Sequence, residues 1–420
     1  MPRSGLRRDL WVSTADAAAF SVMVGCGEAY FPAFTLALGL GPVAAGMVAS
    51  VPILAGAVFQ LVTPLAVSRL RTNRGWVVAC TMAQSLSFAP LIWWALRGRA
   101  ELWELLVAAS LYWAAGMAGV PAWNSWIGTL VPERMRTQFI TQRNRLGQFG
   151  VFIGFVVGGL LLQAGEKRSA TLTAFAVLFT VAGICRLVST GLLVACRELV
   201  PPPPRGPAPD SPASGLPPAN LLRQTKRALG VMATSPSGAL IAFLWCFTFG
   251  TQFAAPYYTP YMLREIGFSY GTFMLVVATG VLAKALALPA VGRLGSRIGS
   301  IGLLWVGSLS VIPLALLWLP SANVGYLVGV QLLGGTCWSG YELAVALLFF
   351  DAVPHRERTG VLTAYNLGLA IATVAGAAAG GVMLRSLGED RTAYATVFTI
   401  SSLLRLAAIP LLRRVRHAGR

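Results

Sequence analysis

The sequence predicts an all-α membrane protein in which twelve transmembrane helices form two parallel six-helix repeats. Three observations carry that expectation. First, 56% of the 420 residues are hydrophobic and only 11% are charged, where a soluble domain carries about a quarter. So little charge cannot cover a water-facing surface of this size. Second, the apolar residues fall into twelve runs, most of them near the ~20 residues that an α-helix needs to cross the hydrocarbon core. Third, the stretch 131–159 is written again 222 positions later, at 353–381.

The runs cover roughly 14–38, 42–66, 75–96, 102–130, 139–163, 171–196, 236–260, 268–292, 299–319, 323–352, 360–385 and 393–412, numbered here as spans 1 to 12. Spans 4 and 10 are overlong, which predicts tilting or projection beyond the bilayer. The N-terminus could pass for a signal peptide, but its run is too long, contains Glu28 and lacks an A-x-A-like cleavage site, so it reads as a span. Between spans 6 and 7 the composition changes: 201–218 is dense in Pro and Ser, which cannot bury a core and reads as an extended linker. After it, 221–232 has the pattern of a short amphipathic helix lying on the membrane surface. The expected organisation is an N-terminal six-helix bundle at 1–196, a cytoplasmic Pro-rich linker with that helix at 197–235, and a C-terminal six-helix bundle at 236–420.

Lys and Arg orient the chain. With both termini cytoplasmic, 23 of the 33 basic residues fall in cytoplasmic segments or at the cytoplasmic start of span 5, 7 on the opposite side including the end of span 11, and 3 deeper within spans, as positive-inside topology requires. The same clustering, with no basic stripe interleaved with aromatics, argues against nucleic acid as a partner. Six scattered cysteines form no CxxC pair, so neither a disulfide frame nor a zinc site is indicated, and no cofactor is expected.

The repeat is specific. Val131, Pro132, Arg134, Arg136, Thr137, Thr141, Asn144, Gly154, Gly158 and Gly159 all recur at the same offset of 222. Chance similarity between apolar helices would not match a Pro, two Arg and an Asn. Elsewhere Ser85-Leu86-Ser87 answers Ser308-Leu309-Ser310, Ser68-Arg69 answers Ser296-Arg297, and Arg186 answers Arg405. Six spans repeat as six, and an even number keeps both copies in one orientation, so the repeats are related by an axis along the membrane normal.

Two parallel six-helix halves joined by a long cytoplasmic linker resemble the major facilitator superfamily, and the likeness covers nearly the whole chain. That family has a loop motif G-x-L-a-D-R-x-G-R-R after the second span of each half. In the second half Gly292, Leu294, Arg297 and Gly299 match it, with Ser296 at the acidic position. The first half keeps Arg69, while Pro64, Ser68 and Arg71 depart. The missing acid puts the family's cytoplasmic latch in doubt here, and Glu133, Asp351 and Glu357 are candidates to replace it. The ridge Gly150-x-x-x-Gly154-Phe155-x-x-Gly158-Gly159 is similar to a span 5 motif of proton-coupled drug antiporters in that superfamily, with Phe155 replacing a proline. Its second copy, with Ala377, favours helix packing, so it tilts the reading only slightly towards export.

Enzymatic constellations are missing: there is no P-loop, no HExxH and no GxSxG, and the only histidines, His355 and His417, fall in cytoplasmic segments. The chain is expected not to be an enzyme. Charges inside spans are functional candidates because hydrocarbon makes them expensive. Glu28 begins Glu28-x-x-x-Pro32 in span 1, and span 7 shows Gln252-x-x-x-Pro256. In the resembled fold spans 1, 4, 7 and 10 line a central cavity, which implies that Glu28 and Gln252 face each other. A carboxyl there suits proton binding, since desolvation favours its neutral form and a bound cation its charged form; an ion pair between helices is the alternative. Glu342 is the second proton-coupling candidate. Trp338, Tyr341 and Glu342 fall at i, i+3 and i+4 and share one helix face; an aromatic packing stripe is the alternative.

Lys284 in span 8 is a candidate anion site, carboxylate partner or snorkelling residue. The symmetric pair Arg186 and Arg405 reads as structural, and Arg143 and Arg145, unmatched by Tyr365 and Leu367, as facing the inner mouth. Tyr30, Phe34, Trp113, Asn124, Gln252, Tyr257, Trp338, Tyr341 and Lys284 are the candidate cavity residues, with Arg69, Gly292, Arg297, Gly299, Arg143 and Arg145 at the gating and loop positions. The expectation is a monomeric secondary transporter of the bacterial inner membrane, moving a small organic solute by alternating access among membrane lipids, with protons as the candidate coupling ion. A lipid or lysolipid translocator on the same fold and a non-transporting receptor or scaffold are the alternatives.

Overall fold

The computed structural model describes residues 3–198, 236–352 and 358–416, and among the described residues every regular element is helical. The linker and its amphipathic helix lie outside them, apart from residues 197 and 198. Ten segments are long and apolar enough to cross a bilayer. One of them, Tyr270–Trp318, is 49 residues long and holds two crossings, divided where Gly299 takes φ 73° and ψ 169°. Val324–Ala352 matches the length of span 4, both being 29 residues; Gln331 and Glu342 dilute its apolar character. Counted this way, the helices accommodate the twelve expected spans.

The chain divides into two compact units, Met1–Leu38 with Val51–Asn220, and Gly39–Ser50 with Leu221–Arg420. The segment Gly39–Ser50, from the start of span 2, thus groups with the second unit, although its sequence position lies in the expected N-terminal bundle. Gly46 makes this possible, since a side chain there would run into the Tyr257 ring. Capping follows the local sequence. Thr72 and Ser269 each accept a hydrogen bond from the backbone three residues on, and Glu101 with Glu104 forms a capping box at the start of span 4.

Within each unit the first helix is broken at one place. Span 1 runs as α-helix over Arg3–Cys26, tightens to a 3₁₀ turn at Glu28–Tyr30 and resumes at Phe31–Ala37. Span 7 runs over Pro236–Gln252 and tightens at Ala255–Tyr257. At the end of each turn a tyrosine hydroxyl donates to a span 5 or span 11 carbonyl: Tyr30 to Phe155 O at 2.5 Å, and Tyr257 to Ala377 O at 2.6 Å. The glycine ridges explain how the helices come this close. A methyl on Gly154 would strike the Val22 carbonyl, and one on Gly376 the Phe249 carbonyl. Tyr30 and Tyr257, Val22 and Phe249, and the two 3₁₀ turns all correspond at an offset of 227.

That register corrects the sequence alignment of these spans. Glu28 corresponds to Ala255, not to Gln252, and Gln252 corresponds to Gly25. The E-x-x-x-P and Q-x-x-x-P matches mislead because the prolines do not set the break. Pro32 is the second residue of the resumed helix, while Pro256 lies inside the 3₁₀ turn. Seating of span 1 or 7 on the glycine ridge fixes the register instead.

The loop after the second span also repeats. Arg71 (φ 56°) and Gly299 (φ 73°) occupy equivalent positions, offset by 228, and both turn the chain through positive φ. Glycine does so without steric cost, whereas an arginine is strained there. The motif residues Arg69, Arg297 and Gly299 are exposed and Gly292 is half-buried.

Candidate functional site

In the first unit the break in span 1 places Glu28 at the head of a 3₁₀ turn, where its carboxylate accepts a hydrogen bond from Tyr112 Oη of span 4 at 2.8 Å. The same hydroxyl lies 3.2 Å from Met23 Sδ. Phe31 and Phe88 pack edge-on around Tyr112, with ring centroids 5.3 and 5.6 Å away. Glu28 keeps partial exposure, so it combines an apolar wall, one neutral donor and a way out. Such a group can exchange a proton without breaking an ion pair. Sequence pattern marks Trp113, half-buried here, and passes over its neighbour Tyr112; a tyrosine in an apolar run reads as core, and nothing in the pattern shows its bond to Glu28.

Near the start of span 1 this unit holds a buried charge network. Asp16 is held by Arg143 Nη2 at 2.9 Å and by Ser189 Oγ at 2.6 Å, and Ser189 in turn accepts from Arg186 at 2.9 Å. Arg143 also lies over the Trp123 ring, 4.2 Å from its centroid. Arg143 therefore ties span 5 to the span 1 helix, and Asp16 carries the link on to Ser189 of span 6. Asp16 has no sequence signal because it sits at the edge of the apolar run, where an acid usually reaches water. Arg145 is exposed.

Glu198 is a further residue that pattern does not single out. Its carboxylate accepts from Thr72 Oγ1, from Asn73 N at 2.7 Å and from Arg74 N at 3.3 Å, capping the N-terminus of span 3 beside the loop that lacks the family's acid. The candidates named for that role, Glu133, Asp351 and Glu357, lie outside the residues whose side chains are described.

In the second unit spans 8 and 10 meet backbone to backbone. A methyl on Gly335 would collide with Gly280 O and come 2.8 Å from Lys284 N. Two turns along span 10 from Gly335, Glu342 receives Lys284 Nζ on both carboxylate oxygens, at 2.7 and 2.5 Å. The two side chains remain 41% and 51% exposed. The half-buried Trp338 lies one turn from Glu342 and meets Tyr341 edge-on, with centroids 5.6 Å apart.

Four expected cavity residues are bundle core instead. Tyr30, Phe34, Tyr257 and Tyr341 are buried, the first and third with their hydroxyls committed to backbone carbonyls and Tyr341 stacked on Phe247 at 4.9 Å. Aromatic residues in a span fill its helix contacts as readily as they line a path, and spacing alone does not separate the two. Asn124 is exposed and Gln252 half-buried. Arg186 and Arg405 are both buried; Arg405 donates to Val311 O at 3.0 Å and to Ser401 Oγ at 2.8 Å.

Two helical units of this size, each broken at its first span, fit a polytopic membrane protein, and the sequence names its class. It matches the Major Facilitator Superfamily over residues 17–260 and 240–420, and the chain belongs to that family. Among curated proteins no relative matches. Among solved structures, a mutant of the nucleoside transporter NupG superposes with a TM-score of 0.70 at 11% identity, covering 97% of this chain and 99% of that one. A bacterial homologue of the human lysosomal transporter Spinster gives 0.68 at 15% identity, covering 98% and 96%. A D-xylose–proton symporter gives 0.68 at 14%, covering 98% and 99%. At such identities the likeness is one of fold. The chain is a transporter rather than an enzyme, embedded in a membrane.

Proposed function

We propose that this transporter moves a small organic solute by alternating access, driven by a proton gradient through Glu28. The observation that carries the solute path is the Lys284–Glu342 pair. Span 8 covers 268–292, which puts Lys284 about 12 Å inside its nearer end at 1.5 Å per residue. A charged pair half-exposed at that depth is costly against hydrocarbon and is expected to face a polar path. Since Glu342 is engaged by Lys284, Glu28 is the better coupling group. Proton symport by a neighbour of the same fold fits this reading.

Cytoplasmic termini and a bacterial inner membrane complete the proposal, the former supported by the excess of basic residues in alternate loops. The glycine ridges serve packing in both units, so they carry no direction of transport. A monomer suffices, since one chain supplies both repeats.

The test is counterflow and gradient-driven uptake in proteoliposomes, against a panel of nucleosides, sugars, amino acids and organic cations. Wild type is expected to exchange at least one solute and to accumulate it under a pH gradient. Glu28→Gln should still exchange that solute and fail to accumulate it. Unchanged accumulation and pH dependence in Glu28→Gln would remove the proton role.

A lipid translocator is the second reading, favoured by one feature. An apolar groove of about 700 Å³ in the second unit is walled by Trp245, Phe249, Ile371, Ala375, Leu404 and Leu411. Movement of a fluorescent phospholipid between leaflets, with no soluble solute exchanged, would favour it.

A further inference from the structure

The Lys284–Glu342 pair constrains the charge of what can bind there. This step rests on the transport reading above and narrows its solute. The two groups neutralise each other through a short contact to both carboxylate oxygens, and each still presents a large part of its side chain outward. A ligand gains from the site only if it replaces what each charge would lose. A simple cation drawn to Glu342 leaves Lys284 without its counter-charge, and a simple anion drawn to Lys284 strands Glu342. A charge left unpaired within a span is unfavourable, and one new contact to its partner does nothing to relieve it. A ligand carrying both signs avoids the penalty, because its carboxylate takes the Lys284 ammonium while its ammonium takes the Glu342 carboxylate.

The surroundings set the spacing and the flank. Gly335 against the span 8 backbone brings the two helices close, and Lys284 and Glu342 are in direct contact. A ligand whose charges sit on neighbouring carbons can exchange with both while displacing them least. Trp338, half-buried one turn from Glu342, offers a ring to whatever apolar group the ligand carries, and its edge contact with Tyr341 fixes the ring's orientation.

We propose that the Lys284–Glu342 pair with Trp338 is the recognition element for a zwitterionic solute of the α-amino-acid class, bound by exchange of the internal ion pair for two ligand-to-protein pairs.

The test uses the full chain in lipid nanodiscs and in proteoliposomes. The probes are the common α-amino acids and, for each, its methyl ester (a cation) and its N-acetyl derivative (an anion). At least one amino acid should raise the melting temperature of the wild type, with its ester and acetyl forms binding about a hundredfold weaker or worse. Lys284→Met and Glu342→Gln should each lose that binding, while the double swap Lys284→Glu with Glu342→Lys should regain most of it. The proposal is overturned if an ester or acetyl form binds as well as its parent, if no amino acid binds, or if either single variant binds as wild type does. The ligand series on the wild type decides even where a variant does not fold. Binding without counterflow would defeat the transport reading and leave the recognition site standing. Counterflow of a non-zwitterion, unaffected by the single variants, would do the reverse.

Discussion

In the first unit Arg186 reaches a carboxylate through one serine, with Asp16 clamped between Ser189 and Arg143. Arg405, its counterpart in the second unit, has a serine hydroxyl and a backbone carbonyl, with no carboxylate at ion-pair distance among the described residues. The second unit keeps its ion pair elsewhere, exposed, at Lys284–Glu342. What the units share is uncharged: a glycine ridge, a broken first helix and a tyrosine bonded to the ridge carbonyl. The scaffold is thus held by close backbone contact, which leaves charge free to diverge after duplication. One unit has turned its charges inward as cross-links, and the other holds a pair that stays half-exposed.

Four experiments break or sharpen this contrast, in decreasing order of effect. Asp16→Ala leaves Arg143 and Arg186 without their carboxylate and is expected to cost about 3–5 kcal/mol, read as loss of thermal stability in detergent. Arg405→Met, which removes hydrogen bonds but breaks no ion pair, should cost about 1–3 kcal/mol. An Asp16→Ala loss no larger than that of Arg405→Met would erase the distinction drawn between the units.

Gly154→Ala and Gly376→Ala test the shared part. Each methyl meets a carbonyl oxygen of the first helix, and overpacking of this kind costs about 1–3 kcal/mol. The two losses should be equal within error; a cost in one unit alone would show that the ridges are not equivalent. Tyr30→Phe and Tyr257→Phe should then each lose about 0.5–1.5 kcal/mol, the contribution of one hydrogen bond, again in parallel.

The smallest effect is a gain. Arg71 holds a left-handed conformation that costs about 1–2 kcal/mol for a residue with a side chain, and glycine's greater freedom when unfolded offsets about half of it. Arg71→Gly, which copies Gly299, is expected to stabilise by about 0.5 kcal/mol in chemical denaturation. A loss of stability would mean that the Arg71 side chain has a partner worth more than the strain.

By itself the sequence determined the class of protein. Apolar runs of span length have no other stable arrangement in a bilayer, and a repeat with matched Pro, Arg, Asn and Gly identifies two copies of one bundle. It also marked Lys284, Glu342 and Glu28, because a charge in an apolar run stands out whatever the fold. Only the tertiary structure decided what these residues touch. Whether Lys284 and Glu342 pair depends on Gly335 drawing spans 8 and 10 together, a matter of distance that composition does not contain.

The register of spans 1 and 7 was also settled in three dimensions. A three-residue slip nearly restores the face of a helix, so sequence pattern alone tolerates it, whereas the collision of Gly154 and Gly376 with opposing carbonyls does not. The aromatic residues divide on the same ground. Trp338 keeps partial exposure while Tyr30, Phe34, Tyr257 and Tyr341 are core, and only neighbours from distant helices tell them apart.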